Sequence, residues 1–158
     1  MDISGEQRIP ASREQVWKAL NNPNVLRKCL PNCEALEKKS PTEMVATIKI
    51  KVAFISTSFK SNITLTNIKA QESYTIISEG SSSIAGSIKA SMDVHLRDDN
   101  AETVVDYTIR AELAGKLAML GSKMIDSSAK KAAQKFFEKL CKIMVAKAEA
   151  AAAAVSQG

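Results

Sequence analysis

Hydrophobic and polar residues alternate along the middle of the chain with the two-residue period of β-strands. The alternating runs are 33–38, 44–52, 59–65, 74–78, 86–97 and 105–113. Alternation that is apolar on one side over consecutive runs predicts an antiparallel sheet with one face on the core and one face in water. The polar cluster at 98–100, between the last two runs, predicts a turn.

The front of the chain predicts a short strand and two short helices. The strand covers 3–9. Ser12 with Gln15 three residues later is a capping-box pattern, so a helix should begin after Ser12. Asn22 followed by Pro23 predicts the start of a second helix, because asparagine is a favoured N-cap and proline a favoured first helical residue.

The back of the chain predicts one long amphipathic helix over 117–154, because apolar residues recur three and four positions apart. The centre of its apolar stripe consists of small residues: Ser127, Ser128, Ala129, Ala132 and Ala133. A helix with small residues laid on a concave sheet leaves space, and such space can hold a ligand. Close packing of the helix against the sheet is the alternative.

The length and composition predict one domain over 1–147, followed by an alanine-rich tail over 148–158 that frays. The N-terminus lacks a basic segment followed by an apolar one, so we expect no secretory signal. Three cysteines, an odd number, fit reduced thiols in a cytoplasmic protein. We expect all three to be structural and buried.

The net charge of +5 belongs to the predicted terminal helix. Eight lysines and three acidic residues lie from Lys116 onward, while the remaining 14 basic and 14 acidic residues cancel. Four lysines share one flank of the helix: Lys131, Lys135, Lys139 and Lys142. This flank fits a solvated helix face, an anionic membrane surface or an acidic protein partner. Nucleic acid is the least favoured partner and we expect none, because most of the seven aromatic residues fall on predicted core positions.

Groups that could catalyse a reaction are predicted to point away from the core. His95, the only histidine, alternates with apolar neighbours and should face water. The ionisable residues of the late strands also alternate outward: Asp93, Asp106, Arg110 and Glu112. Cys29 and Cys33 lack the second pair of ligands that a zinc site needs, so we expect no metal. The pattern favours binding over catalysis, and an ionisable group beside Tyr107 would favour an enzyme instead.

Several pieces of the chain together resemble a known family. They are Ala11, Val16-Trp17, Leu20-Asn21-Asn22-Pro23, Cys29-Leu30-Pro31-Asn32-Cys33, Gly115-Lys116-Leu117-Ala118 with Gly121, and Phe136-Phe137. The chain resembles, over nearly its whole length, the family of the G subunit of carbon monoxide dehydrogenase (CoxG), within the START-like (SRPBCC) helix-grip superfamily. Asn32 stands where the family usually has glycine, so we expect a positive φ there.

The resemblance implies an α+β helix-grip fold. A seven-stranded antiparallel sheet would wrap around the long C-terminal helix, with two short helices after the first strand. It also implies association with a molybdenum-containing carbon monoxide dehydrogenase or a related hydroxylase, anchoring of that enzyme at the membrane, and handling of quinone. It supplies no catalytic motif.

We therefore predict a non-catalytic carrier of a quinone or isoprenoid lipid, without a covalent cofactor, in the cytoplasm or at the inner face of the cell membrane. The residues expected to line its cavity are Trp17, Leu30, Phe54, Phe59, Met92, Tyr107, Met124, Ser128 and Phe136. The lysine flank (Lys131, Lys135, Lys139 and Lys142) is expected to dock the protein on the membrane or on its dehydrogenase. The alternatives are a START-like cyclase or hydrolase, and an assembly factor without a ligand.

Overall fold

The computed structural model describes residues 2–157, with the side chains of residues 2–155. The strands are β1 (Asp2–Ile9), β2 (Cys33–Ser40), β3 (Glu43–Val52), β4 (Ile55–Lys69), β5 (Ser73–Ser82), β6 (Gly86–Asp99) and β7 (Glu102–Ala114). They form one antiparallel sheet in the order β1-β7-β6-β5-β4-β3-β2. The predicted seven-stranded antiparallel sheet is confirmed.

The two predicted short helices, α1 (Arg13–Leu20) and α2 (Pro23–Cys29), connect β1 to β2. The capping box of α1 is complete: the Gln15 amide donates to Ser12 Oγ at 3.3 Å, and the Ser12 amide donates to Gln15 Oε1 at 3.2 Å. Asn22 Oδ1 accepts from the Asn24 amide at 2.9 Å and caps α2. After α2, Asn32 has the expected positive φ, 58°.

The C-terminal helix begins later than predicted. Residues Gly115–Leu120 form a 3-10 helix, and α3 (Ser122–Gln157) follows it. Gly121 separates the two with a φ of 88° and a ψ of 149°, which an α-helix does not contain. The prediction of one continuous helix from residue 117 is therefore wrong, because the backbone leaves the helical conformation at Gly121 although the apolar pattern continues.

The alanine-rich tail continues α3 as far as Gln157, with residues 148–155 exposed. The helix thus extends beyond its last buried side chain, Met144. Fraying of the tail stays a prediction, and Gly158 lies outside the described residues.

The hydrophobic core consists of two separate clusters on the concave face of the sheet. The α1–α2 cluster contains Ile9, Ala11, Val16, Ala19, Leu20, Val25, Cys29, Leu65, Tyr74, Val94, Leu96, Val105, Phe137, Leu140 and Met144. The loop-end cluster contains Val52, Ile55, Phe59, Ala85, Leu117 and Ile125. The first joins α1, α2 and the later part of α3 to one end of the sheet. The second joins the beginning of α3 to the opposite end.

The outer face of the sheet is polar and carries ion pairs. Arg97 Nε lies 2.6 Å from Asp106 Oδ2, and Arg110 lies 2.5 Å from Asp93 Oδ2. His95 and Glu112 are on the same face, where His95 is exposed and Glu112 is accessible to solvent. The predicted outward orientation of these groups is confirmed. Because the pairs are exposed, they contribute little to stability.

We predict that the contact between Gly115 and Gly86 is required for a stable fold. A Cβ atom on Gly115 would lie 2.7 Å from the Gly86 Cα, and Gly115 also has a φ of 78°. Gly115→Ala should lower the free energy of unfolding by about 1–2 kcal/mol for the backbone strain and by about 1–3 kcal/mol more for the clash. The measurement is urea unfolding followed by circular dichroism.

Gly121→Ala is the matched control. Gly121 has a φ of 88°, but nothing lies within 4 Å of a Cβ atom built there. This variant should therefore show the backbone strain without the clash. Equal losses in the two variants would contradict the close approach of Gly115 to Gly86.

Candidate functional site

The concave face of the sheet is only partly covered between the two core clusters. Apolar residues of the central strands point inward there without being fully buried, among them Ile63, Ile76, Ala90, Met92 and Ile109. Register confirms their common face, because Met92 pairs with both Ile76 and Ile109. Protein interiors are normally close-packed, so accessible surface on inward-facing residues indicates space above them. We call these five residues the open band.

The helix above the open band is held at its flanks and ends. The closest backbone approaches of α3 are to β1, β3, α2 and the 3-10 helix, rather than to the central strands. Ile125 belongs to the loop-end cluster and Phe137 to the α1–α2 cluster. These anchors are twelve residues apart, which corresponds to about 18 Å along a helix.

The small residues of α3 lie between those two anchors. Ser128, Ala129 and Ala133 are half-buried, whereas Ser127 and Ala132 are exposed. The predicted stripe of small residues is therefore wrong at Ser127 and Ala132, because the helix is rotated on the sheet relative to the prediction. Small side chains toward the sheet, together with the half-buried open band, favour a cavity over close packing of helix and sheet.

Aromatic rings gather at the end of the open band next to the α1–α2 cluster. The rings of Trp17 and Tyr74 meet edge to face at 5.1 Å between centroids. Tyr107 stacks on Phe137 at 5.4 Å, and Phe136 meets Phe137 edge to face at 5.3 Å. Trp17, Tyr107 and Phe136 are half-buried, so each ring keeps accessible surface. Burial raises the pKa of Tyr74 well above its ordinary range, which keeps its hydroxyl protonated.

Gly5 makes room for one of these rings. It pairs with Tyr107 across β1 and β7, and a Cβ atom on Gly5 would collide with the Tyr107 hydroxyl. The Tyr107 ring therefore lies over the bare backbone of its neighbouring strand. The sequence predicts a strand at Gly5 but no role for this residue, because the residue opposite it becomes known only with the register.

The nine residues expected to line a cavity have different environments in the structure. Trp17, Met92, Tyr107 and Phe136 pack against the α1–α2 cluster and are half-buried. Phe59 is 1% exposed in the loop-end cluster. Leu30 and Ser128 are also half-buried.

Two of the nine residues are exposed, contrary to the prediction that they line a cavity. Phe54 is 82% exposed, because it lies in the tight turn after the last β3–β4 pair, where strand alternation no longer applies. Met124 is 43% exposed, because it precedes the buried Ile125 on the first turn of α3. Three residues of the open band, Ile63, Ile76 and Ile109, are not among the nine, although they lie in the same alternating runs.

The three cysteines are free thiols. Burial is the main cause that raises the pKa of Cys29 to about 11, although the nearby Lys139 opposes the shift. Burial also raises the pKa values of Cys33 and Cys141. The expected burial is confirmed for Cys29, whereas Cys33 and Cys141 are only half-buried. A raised pKa keeps a thiol protonated to higher pH, and a protonated thiol is a poorer nucleophile than a thiolate.

The outer face carries two shallow grooves, of about 340 and 460 Å³. The smaller is lined in part by Asp93, His95 and Asp106. Hydrogen bonding from Arg97 is the main cause that lowers the pKa of Asp106, and Asp93 accepts from Thr75 at 2.8 Å. Both carboxylates are therefore paired with arginine or threonine side chains, and they lie on the face opposite the open band.

The lysine flank lies along the middle of α3 and is accessible to solvent. Within the described part of the chain, none of its four lysines forms an ion pair with an acidic side chain. The neighbouring Glu138 accepts a hydrogen bond from Gln134 at 3.2 Å instead. The four ammonium groups are therefore available to an external anionic surface.

Comparison with known proteins places the chain in a family. The sequence profile of the G subunit of carbon monoxide dehydrogenase (CoxG) matches residues 5–144. The chain belongs to the CoxG family. No curated protein matches its sequence. Among residues 2–157, no helix is long and apolar enough to cross a membrane.

Solved structures show how widely the CoxG chain's fold recurs. It is similar to a conserved protein from Geobacillus kaustophilus at 27% identity and a TM-score of 0.86, over 92% of this chain and 95% of that one. A START superfamily protein from Mycobacterium smegmatis has 10% identity and a TM-score of 0.70, over 90% and 96%. A protein from Thermus thermophilus has 15% identity and a TM-score of 0.71, over 93% and 99%. The predicted START-like fold is confirmed.

We predict that Cys29 makes stability fall in alkaline solution. Its pKa rises from 9.0 to about 11 on folding, so the unfolded state loses its thiol proton at lower pH than the folded state. The resulting stabilisation is complete below pH 9 and is lost as pH rises to 11, by about 2.7 kcal/mol at most. Cys29→Ala should change this part of the pH dependence in urea titrations. Identical pH slopes for the two proteins would contradict the shift.

Proposed function

We propose that this protein is a non-catalytic carrier of an apolar ligand. The observation that supports this most strongly is the open band, which lies between two buried clusters and beneath small residues of α3. A ligand placed there would remove apolar surface from water on both sides. Such burial contributes roughly 25 cal/mol per Å², enough to hold an elongated hydrocarbon without any strong polar contact.

The ligand we propose is a quinone or an isoprenoid lipid. The distance of about 18 Å between the two anchors of α3 suits an elongated molecule better than a compact one. The half-buried rings of Trp17, Tyr107 and Phe136 offer flat apolar surfaces to a quinone ring. The hydroxyls of Tyr107 and Ser128 are candidate donors to a quinone carbonyl.

The partner we propose is a molybdenum-containing carbon monoxide dehydrogenase or a related hydroxylase. The family description, which names the G subunit of carbon monoxide dehydrogenase, supports this partner. The carrier would move its ligand between the membrane quinone pool and the dehydrogenase, in the cytoplasm and at the inner face of the cell membrane. The lysine flank would dock the loaded protein on an acidic surface of the enzyme or on anionic lipid.

Catalysis by a START-like cyclase or hydrolase has less support. Such an enzyme needs an acid–base pair inside the cavity, whereas Asp93 and Asp106 are bound to arginines on the outer face. An assembly factor without a ligand needs no open space beneath α3, so the half-buried open band argues against it as well.

The first test of the carrier function is to identify the ligand that co-purifies with the protein. Lipid extracted from the purified protein should contain an apolar compound by mass spectrometry. Added quinone should quench Trp17 fluorescence and raise the melting temperature, with about 2.7 kcal/mol of stabilisation at a free concentration of 100 times Kd. If nothing apolar co-purifies and quinone changes neither signal, the carrier function is excluded.

We predict that Ala133→Phe weakens quinone binding at least about tenfold, because a phenyl group there fills the space above the open band. Ala132→Phe is the matched control, since Ala132 is the exposed neighbour on the same turn of α3. Quenching titrations should give the control an unchanged Kd. Equal affinities for both variants would show that the ligand lies elsewhere.

A further inference from the structure

Four large apolar side chains are exposed near one end of the sheet. Phe54 is 82% exposed, Ile84 56%, Met119 84% and Met124 43%. They come from three separate segments: the β3–β4 turn, the β5–β6 turn and the connection from β7 into α3. We call these four residues the apolar rim.

Topology and packing bring the three segments together. Strands β2 to β7 are neighbours in chain order, so the β3–β4 turn, the β5–β6 turn and the end of β7 lie at the same end of the sheet. Each rim residue is within two positions of a member of the loop-end cluster, which contains Ile55, Ala85, Leu117 and Ile125. The Leu117 amide also donates to the Ala85 carbonyl at 3.0 Å. The rim is therefore one surface on a shared buried base.

The charge around the rim is positive. Segments 50–56, 81–87 and 113–125 contain three lysines and no acidic residue. The lysines are Lys51, Lys116 and Lys123, and all three are exposed. The other large exposed apolar residues, Ile68, Ile77, Val145 and Val155, lie elsewhere on the sheet and on α3 rather than in these segments.

The backbone of the β3–β4 turn, which carries Phe54, is strained. Ala53 has a φ of 54°, in the left-handed region that residues with a Cβ atom rarely occupy. Strain of this kind persists where the surroundings enforce it, and it is common at functional positions. Here it precedes Phe54, which buries little of its surface within the protein.

We propose that the apolar rim is a membrane-binding surface that inserts into an anionic lipid bilayer. This inference rests on the proposed function, which left the lysine flank to the enzyme or to anionic lipid, and it assigns the flank to the enzyme. Large apolar side chains ringed by lysines match the headgroup boundary, where the rings and methionines enter the lipid and the ammonium groups bind phosphates. The lysine flank lacks the first half of this pattern, because no residue between 131 and 142 is among the large exposed apolar side chains. The flank can attract an anion, but only the rim can insert.

The experiment is flotation of the full chain with phosphatidylcholine vesicles that contain about a quarter phosphatidylglycerol. The wild type should bind these vesicles and should bind pure phosphatidylcholine vesicles much more weakly. The rim variant Phe54→Ser with Met119→Ser should lose at least about tenfold in partitioning, because two large side chains no longer enter the lipid. Both residues are exposed, so its melting temperature should not change.

Two control variants separate the rim from the rest of the surface. Ile77→Ser with Val155→Ser also removes two exposed apolar side chains and should bind like the wild type. Lys116→Gln with Lys123→Gln should weaken binding about fivefold per lysine, whereas Lys131→Gln with Lys135→Gln, with the same change in net charge, should not.

Several results would overturn the proposal. The wild type could fail to bind anionic vesicles, or the rim variant could bind as tightly as the Ile77 and Val155 control. A dimer in solution that the rim substitutions dissociate, without vesicle binding, would assign the rim to a second copy of the chain. These results do not depend on quinone, so the carrier and the membrane surface can fail separately.

Discussion

The structure depends on how α3 is attached to the sheet. Buried side chains hold the helix at two places, at Ile125 in the loop-end cluster and from Phe137 to Met144 in the α1–α2 cluster. Between them the helix carries small residues and the sheet carries half-buried aliphatic ones. Burial of a large side chain contributes about 1.5–3 kcal/mol, so two clusters can secure the helix without a continuous core.

An unfilled space beneath α3 would have a thermodynamic cost. Apolar atoms that face a gap lose the dispersion contacts that a close-packed neighbour would supply. A protein that leaves Ile76, Met92 and Ile109 half-buried therefore gives up stability that larger residues on α3 could supply. A bound apolar ligand would restore those contacts, which links the stability of the CoxG chain to its proposed cargo.

Much of the fold could be predicted from local chemistry. The capping box at Ser12, the cap at Asn22 and the positive φ at Asn32 depend on neighbouring residues only, and all three are confirmed. The alternating runs likewise specify the inward face of each strand. The start of α3 could not be found in this way, since Leu117 belongs to an apolar pattern that continues through Gly121.

The candidate site was harder to predict, because exposure is decided by tertiary packing. Phe54 has the composition of a core residue, but the turn places it outside the alternation. Ala132 and Ala133 are chemically identical neighbours, and only the rotation of α3 on the sheet gives them different environments. The role of Gly5 depends on which residue lies opposite it, and strand register is a property of the whole sheet.

In the proposed carrier, the two exposed basic surfaces would bind different partners. The apolar rim lies at the end of the sheet that contains the loop-end cluster, where α3 begins. The lysine flank lies along the middle of that helix. A ligand that leaves a bilayer near the rim would enter the space beneath α3 while the flank stays accessible to a protein partner. This route requires an open space between α3 and the central strands.

A crystal structure of the protein under xenon pressure tests this most directly, because xenon enters apolar cavities that are large enough to hold it. The account predicts xenon or retained ligand density between Met92 and Ala129, in contact with the open band. Continuous side-chain packing between α3 and the central strands, with no density there, would contradict it.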